Sequence, residues 1–447
     1  MTTPRRAATP RWQCELTPLP PLPQVELALR QATELFAAEL LRPSACAPDW
    51  DRFEWDMARA AAVLHGVTPL LAGVLRWHGP AAWEQFIGQQ RVHTAARQRR
   101  ITALLERIDQ QARRANIALV PLKGAALHRL GVYTGGERPM ADVDLLVAQC
   151  DSGRMTQLLL SLGYLDTSVT WKHRVFEPLE HAIAAAPKAA ASFGEHADGP
   201  IKIELHSRIA ERLPLNTVDV SETVFPLAPH PGLNGYPSTM ALFTHLLLHA
   251  AGAMVLRSMR LLQLHDLALL SARMQTDDWQ QLLAQRRHSG ALWWALPPSE
   301  LLARYYPGSV PTGVLASLRS DCPRRIRAMS RRQTISDVSF AALRVEAFPG
   351  IAWSTSTAEK LRYVFNRVLP RRALVDARVA DATQQAWAAD NSWTQMSHAR
   401  RILTWSFGHT PRPQPMHAVR CALEDPADCA TPPPPRADEI RAATRMS

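Results

Sequence analysis

The sequence predicts an α+β protein in which strands are confined to one central stretch and helical periodicity fills the chain on either side. Three observations carry that expectation. Residues 118–147, ALVPLKGAALHRLGVYTGGERPMADVDLLV, pass from an apolar run through Lys123-Gly124 into a helical segment, then into a second apolar run that opens with Asp142-Val143-Asp144. Residues 201–206 alternate strictly, Ile201, Ile203 and Leu205 against Lys202, Glu204 and His206, as a strand with one buried face does. Before residue 118 and after residue 239, apolar residues recur instead at helical spacing.

Taken in order, residues 1–23 are Pro-rich and aperiodic, a stiff lead-in. Leu27, Leu29, Ala32, Leu35, Phe36 and Leu40 predict a helix over 25–41, and similar patterns predict single helices over 55–77 and 81–114. These helices are expected to brace the central sheet. After it, 154–162 reads as a helix closed by Gly163, and 174–178 and 200–206 as strands of a hairpin with an Ala-rich tip. The most apolar span, 241–270, is interrupted by His245, His249, Arg257, Arg260, His265 and Asp266, so it predicts a buried helical hairpin and not a membrane span. Helical patterns recur at 293–306, 341–347 and 361–369, and the tail from Thr410, with its TPPPPR segment, is expected to be disordered. The expected organisation is a lead-in at 1–23, a helical region at 24–117, a core at 118–230, a helical domain at 231–345, a basic helical extension at 346–409 and a tail at 410–447.

The 447 residues carry a net charge of +11, which favours polyanionic company such as nucleotide phosphates, RNA or an acidic peptide without choosing among them. Residues 321–447 hold 19 Arg and Lys against 12 Asp and Glu, with a cluster at Arg324, Arg325, Arg327, Arg331 and Arg332. Further arginines, Arg362, Arg367, Arg371 and Arg372, interleave with Trp353, Tyr363, Phe365, Trp387, Trp393 and Trp405. That mixture suits RNA or an acidic peptide, or equally a solvated helix face. The six cysteines, Cys14, Cys46, Cys150, Cys322, Cys421 and Cys429, have no ligand-like spacing and read as reduced thiols, and the basic amino terminus has no apolar run behind it. A cytoplasmic location is therefore expected.

On a strand, Asp142 and Asp144 project to one face while Val143, Leu145 and Val147 take the other. Two carboxylates so placed repel each other unless a cation lies between them. A strand, a glycine turn, a helix and a strand with paired carboxylates are the parts of a metal-dependent phosphate site. Lys123, Gly124, Arg138, Pro139, Met140, Asp142, Asp144, Leu145, Leu146 and Val147 together resemble the signature of an uncharacterised bacterial nucleotidyltransferase family, within the superfamily of DNA polymerase beta type. The resemblance is tight at 121–147 and looser over about residues 25–285. It implies a small mixed sheet flanked by helices, with magnesium (or manganese) and a nucleoside triphosphate donor, ATP the expected one. Much of the superfamily has Gly-Ser where this chain has Lys123-Gly124, and a lysine there suits phosphate charge.

On that resemblance Asp142, Asp144 and Glu204 are the candidate catalytic residues and metal ligands. Lys123, Gly124, Arg138, Lys202 and His206 are the candidate nucleotide contacts, with the amino terminus of the helix after Gly124 adding its dipole. Arg138 would reach a phosphate or pin the loop before Asp142. His245 and His249, one turn apart, could bind zinc but lack further ligands at a suitable spacing, and with Asp266 they fit structural use better. Three functions remain open. One is transfer of a nucleoside monophosphate to a hydroxyl or phosphate of a small molecule, peptide or protein. Another is transfer to RNA or tRNA gripped by the basic carboxy-terminal third. The last is an inactive nucleotide-binding module.

Overall fold

The computed structural model describes residues 19–180, 193–286, 292–370, 397–408 and 410–424. Cys14, Cys429, Arg371, Arg372, Trp387, Trp393, the Ala-rich tip and the TPPPPR segment lie outside the described residues, as does most of the Pro-rich lead-in. The amino-terminal helices are α1 (Leu22–Leu41), α2 (Arg52–His65), α3 (Thr68–Val74) and α4 (Ala81–Arg114). The single helix expected over 55–77 is two, α2 and α3, bent by 110° at the break. Gly66 causes it: in the left-handed conformation (φ 67°) it closes α2 through its N–H to the Ala62 and Val63 carbonyls, and Pro69 then starts α3.

The main sheet comprises β1 (Ala118–Pro121), β2 (Asp142–Val147), β3 (Tyr164–Val169), β4 (His173–Pro178), β5 (Lys202–His206) and a short β8 (Gly232–Leu233), in the order β3-β4-β5-β2-β1-β8. Pairs β2–β5 and β1–β8 are parallel and the others antiparallel, so the sheet is mixed as expected. β3, β8 and a small ribbon of β6 (Ala210–Leu213) and β7 (Asn216–Asp219) were not expected. Half-exposed β3 lies at the sheet edge and carries a bulge between Asp166 and Ser168, which weakens the alternation that would announce it. Lys123–Arg129 forms the short helix α5 and Ser152–Ser161 forms α6.

One face of the sheet is a dry core. Val143, Leu145, Val147, Ile201, Ile203, Leu205 and Phe176 pack there against Ile101, Leu104, Leu105 and Ile108 of α4 and Met155, Leu158 and Leu159 of α6. The other face looks towards two buried helices beyond the short α7 (Ser221–Val224): α8 (Thr239–Val255) and α9 (Leu261–Ser271), the expected hairpin. No single described helix is long and apolar enough to cross a membrane. A second, larger core joins α1, α2 and α3 to α8, α9 and the helices beyond, and reaches Trp353 and Val419.

Two expectations for the carboxy-terminal part fail. Residues 341–347 form no helix, because their backbone groups pair with 410–412: Val345 N–H donates to the Thr410 carbonyl at 2.9 Å and Arg412 N–H to the Leu343 carbonyl at 2.7 Å. The tail from Thr410 is not wholly without structure either. Pro413–Glu424 is a helix packed against α2, burying Val419 and Ala422. Its apolar residues Ala418, Val419 and Ala422 recur at helical spacing and escape notice beside the Pro-rich sequence that follows.

Candidate active site

β2 and β5 run parallel with Asp142 opposite Lys202 and Asp144 opposite Glu204. Because their alternate residues are committed to the dry core, Asp142, Asp144, Glu204 and His206 are left on the other face, where all four line one cavity of about 450 Å³. The strand starts are fixed by Arg97 of α4, a residue only 4% exposed. Its guanidinium donates to the carbonyls of Met140 (2.8 Å) and Ala141 (2.7 Å) just before β2, and of Gly199 and Pro200 (2.9 Å each) just before β5.

The turn between β1 and α5 brings in Lys123, whose backbone sits at φ 46°, in a region that side-chain-bearing residues enter at a cost of about 1–3 kcal/mol. Its Nζ donates to Asp144 Oδ1 at 2.7 Å, and its backbone N–H is hydrogen-bonded to the hydroxyl of Tyr236, which also meets His245 Nδ1 at 2.7 Å. Gly124 is required by packing: a Cβ there would lie 2.1 Å from Arg138 Nη1 and 2.9 Å from Met140. Arg138 cannot yield, because its Nε and Nη2 donate to the two oxygens of buried Asp266 at 2.9 and 2.7 Å. Tyr133 donates to the same carboxylate at 2.6 Å. Asp266 thus anchors the loop that leads into β2 through Arg138, which also lines the cavity.

A family model described as an uncharacterised nucleotidyltransferase matches residues 51–305, more than half of the chain. The chain belongs to that nucleotidyltransferase family. No curated protein and no solved structure matches it. The mixed sheet with flanking helices is consistent with a nucleotidyltransferase core.

Within this member of the family the carboxylates differ sharply. Burial alone would raise Asp144, but Lys123 and His206 outweigh it and hold the group well below the usual carboxylate range. Asp144 is therefore ionised, and His206 donates Nε2–H to Asp144 Oδ1 at 3.0 Å, the same oxygen that Lys123 uses. Burial raises Asp142, and Asp144 and Glu204 raise it further, to about 7. Asp142 makes no hydrogen bond or ion pair among the described residues. Burial would lower the pKa of Lys123, yet Asp144, Glu204 and Asp142 raise it, so the ammonium stays charged.

Of the other sequence candidates, Lys202 does not line the cavity. It is exposed and donates to Glu177 at 2.7 Å. His245 and His249 do not converge on one point: the former meets Tyr236, the latter meets Gln263 Nε2 at 2.8 Å and faces Glu211 Oε1 at 3.9 Å. Both are held below the usual histidine range, first by burial and then by Lys123, and are neutral. Sequence reasoning missed His173 and Arg260 as cavity residues. His173 falls one residue before the expected strand and Arg260 begins an apolar helix, so neither carried a local signal. Arg208 and Arg260 line the cavity with no carboxylate in ion-pair distance among the described residues, and Arg208 lies 5.2 Å from the Trp171 ring.

Proposed function

We propose that this chain transfers a nucleoside monophosphate from a nucleoside triphosphate, with ATP the expected donor, to a hydroxyl or phosphate of a small molecule, peptide or protein. The observation that carries the proposal is the convergence of Asp142, Asp144 and Glu204 from two paired strands on one cavity, in a chain of the nucleotidyltransferase family. The cavity volume falls within the range of small-molecule pockets. In the reaction an acceptor oxygen bonds to the α-phosphorus as the bond to pyrophosphate breaks. The protein's part is position and charge.

The carboxylates suit a hard cation. Asp142 has no hydrogen-bond partner among the described residues, and Asp144 directs both of its bonds to Oδ1, which leaves Oδ2 available; three oxygen donors fit magnesium or manganese. Bound there, the metal would neutralise phosphate charge and acidify the acceptor hydroxyl. Lys123 contributes a permanent positive charge beside the carboxylates, and Arg208 and Arg260 offer guanidinium groups to the triphosphate. Glu204, with an oxygen 3.6 Å from His206 Nε2, is placed to take the acceptor proton.

The test is incubation of the full chain with magnesium, each α-labelled nucleoside triphosphate and fractionated lysate. Label is expected on one acceptor class, and its transfer should cease in Asp142→Asn. Absence of both transfer and nucleotide binding would overturn the proposal. One observation favours a second reading, that of a nucleotide-binding module without turnover: Lys123 already supplies Asp144 with a cation. Such a module would bind nucleotide equally well with magnesium or with chelator, whereas the transferase would need the metal.

A further inference from the structure

We infer that His173, Glu204 and His206 form a binding site for one zinc-class transition-metal ion, different in donor chemistry from the all-oxygen set of Asp142 and Asp144. The strands bring these residues together. His173 on β4 is the direct partner of His206 on β5, and Glu204, two residues earlier on β5, shares the face. The two imidazoles lie 4.9 Å apart, centre to centre, and one ligand atom from each of the three residues can be chosen so that all lie within 4.8 Å of one another.

The spacing is that of ligands more than of hydrogen-bond partners. Glu204 presents Oε1 to His173 Nε2 and Oε2 to His206 Nε2, both at 3.6 Å, beyond hydrogen-bond range; on taking the metal, His206 Nε2 would release its proton to solvent and exchange its bond to Asp144 Oδ1 for the ion. Ligands about 2.0–2.2 Å from a four-coordinate ion stand roughly 3.4 Å apart, so small side-chain rotations would bring all three donors onto one ion and leave its fourth position open. His173 adds a second observation. Its Nδ1 is buried without a partner, and its Nε2 has only the long approach to Glu204, so neither ring nitrogen is hydrogen-bonded among the described residues. A buried imidazole left in that state is unfavourable unless something else engages it. Two imidazole nitrogens and a carboxylate favour zinc over magnesium, which prefers oxygen donors. Glu204 is the residue shared with the proposed transfer site, but binding of zinc alone does not depend on that function.

The experiment uses the full chain stripped with chelator and titrated with zinc by calorimetry without nucleotide, beside a titration with cobalt(II) followed by visible absorption. One tightly bound zinc per chain is expected, retained in about a hundredfold excess of magnesium, with the intense cobalt bands of a four- or five-coordinate site. His173→Ala, which breaks no side-chain hydrogen bond, should lower zinc affinity by at least about tenfold while the thermal melt stays near that of the parent. A parent that binds no stoichiometric zinc, or a folded His173→Ala that binds it as tightly as the parent, would overturn the inference. Failure here would leave labelled-nucleotide transfer intact, and failure of the transferase reading would leave zinc binding intact.

Discussion

Among the described residues no cation meets Asp142 in hydrogen-bond contact, whereas Asp144 is closed by Lys123 and His206. Neutralising the two should therefore have different consequences for folding. Asp142→Asn removes a repulsion, so stability in metal-free buffer at pH 8 should be unchanged or higher by about 1 kcal/mol, while magnesium-dependent nucleotide binding and turnover collapse. Urea denaturation beside calorimetry with nucleotide reads both, and normal turnover in this variant would remove Asp142 from the site. Lys123→Ala should weaken nucleotide about ten- to a hundredfold, and it should also destabilise the fold by about 1–3 kcal/mol because Asp144 loses its principal cation. Unaltered nucleotide affinity would pass the phosphate role to Arg208 or Arg260. The shared placement of Asp142, Asp144 and Glu204 on one cavity was legible because strand alternation and a nearby Lys-Gly turn are local features. Lys202 was misread because alternation gives the face of a residue and not its position along the strand. His173 was invisible because its placement depends on the pairing of β4 with β5.

Elements are positioned by side chains far from the site, and Arg97 is the clearest case. A methionine there would fill comparable space yet leave four carbonyls, at Met140, Ala141, Gly199 and Pro200, without their donor. Arg97→Met should cost about 2–4 kcal/mol and raise amide hydrogen exchange at 141–144 and 201–204 before it does so in α6. Uniform exchange through the whole sheet would show that Arg97 does not act on the strand starts. From sequence, Arg97 was one of several arginines on the polar side of a long helix, and only the tertiary fold sets it apart. Helices with a regular apolar stripe, such as α1 and α4, were legible almost to their ends. The failures came where backbone groups found another partner: at Gly66, whose left-handed turn splits α2 from α3, and at 341–347, which pair with 410–412.

At the scale of the molecule, one core unites the amino-terminal helices with α8, α9 and the last described helix. Deleting residues from 410 onward strips Val419 and Ala422 from α2, so the truncated chain should melt several degrees below the parent; an unchanged melt would show the helix to be dispensable. The same union should make the fold acid-sensitive through His65. Thr33 spends its hydroxyl proton on the Leu29 carbonyl at 2.7 Å, so His65 Nε2–H must donate to Thr33 Oγ1 at 3.0 Å, and Nδ1 accepts the Leu261 N–H at 3.1 Å. The neutral ring thereby ties α2 to α1 and to the start of α9. Burial, aided by the nearby Arg260, lowers the pKa of His65 to about 3 from an ordinary 6.5. Between those values the unfolded chain takes up the proton and the folded chain does not, so stability present above pH 6.5 is lost as pH falls. The loss approaches about 4 kcal/mol near pH 3.5, a large share of the stability of an ordinary domain. His65→Gln retains one donor and one acceptor but cannot be protonated. Its absolute stability should be lower, but its dependence on pH between 6.5 and 4 should be shallower than the parent's in urea denaturation. Parallel slopes for the two proteins would show that the acid sensitivity arises elsewhere, with buried His245 and half-buried His249 the next groups to replace.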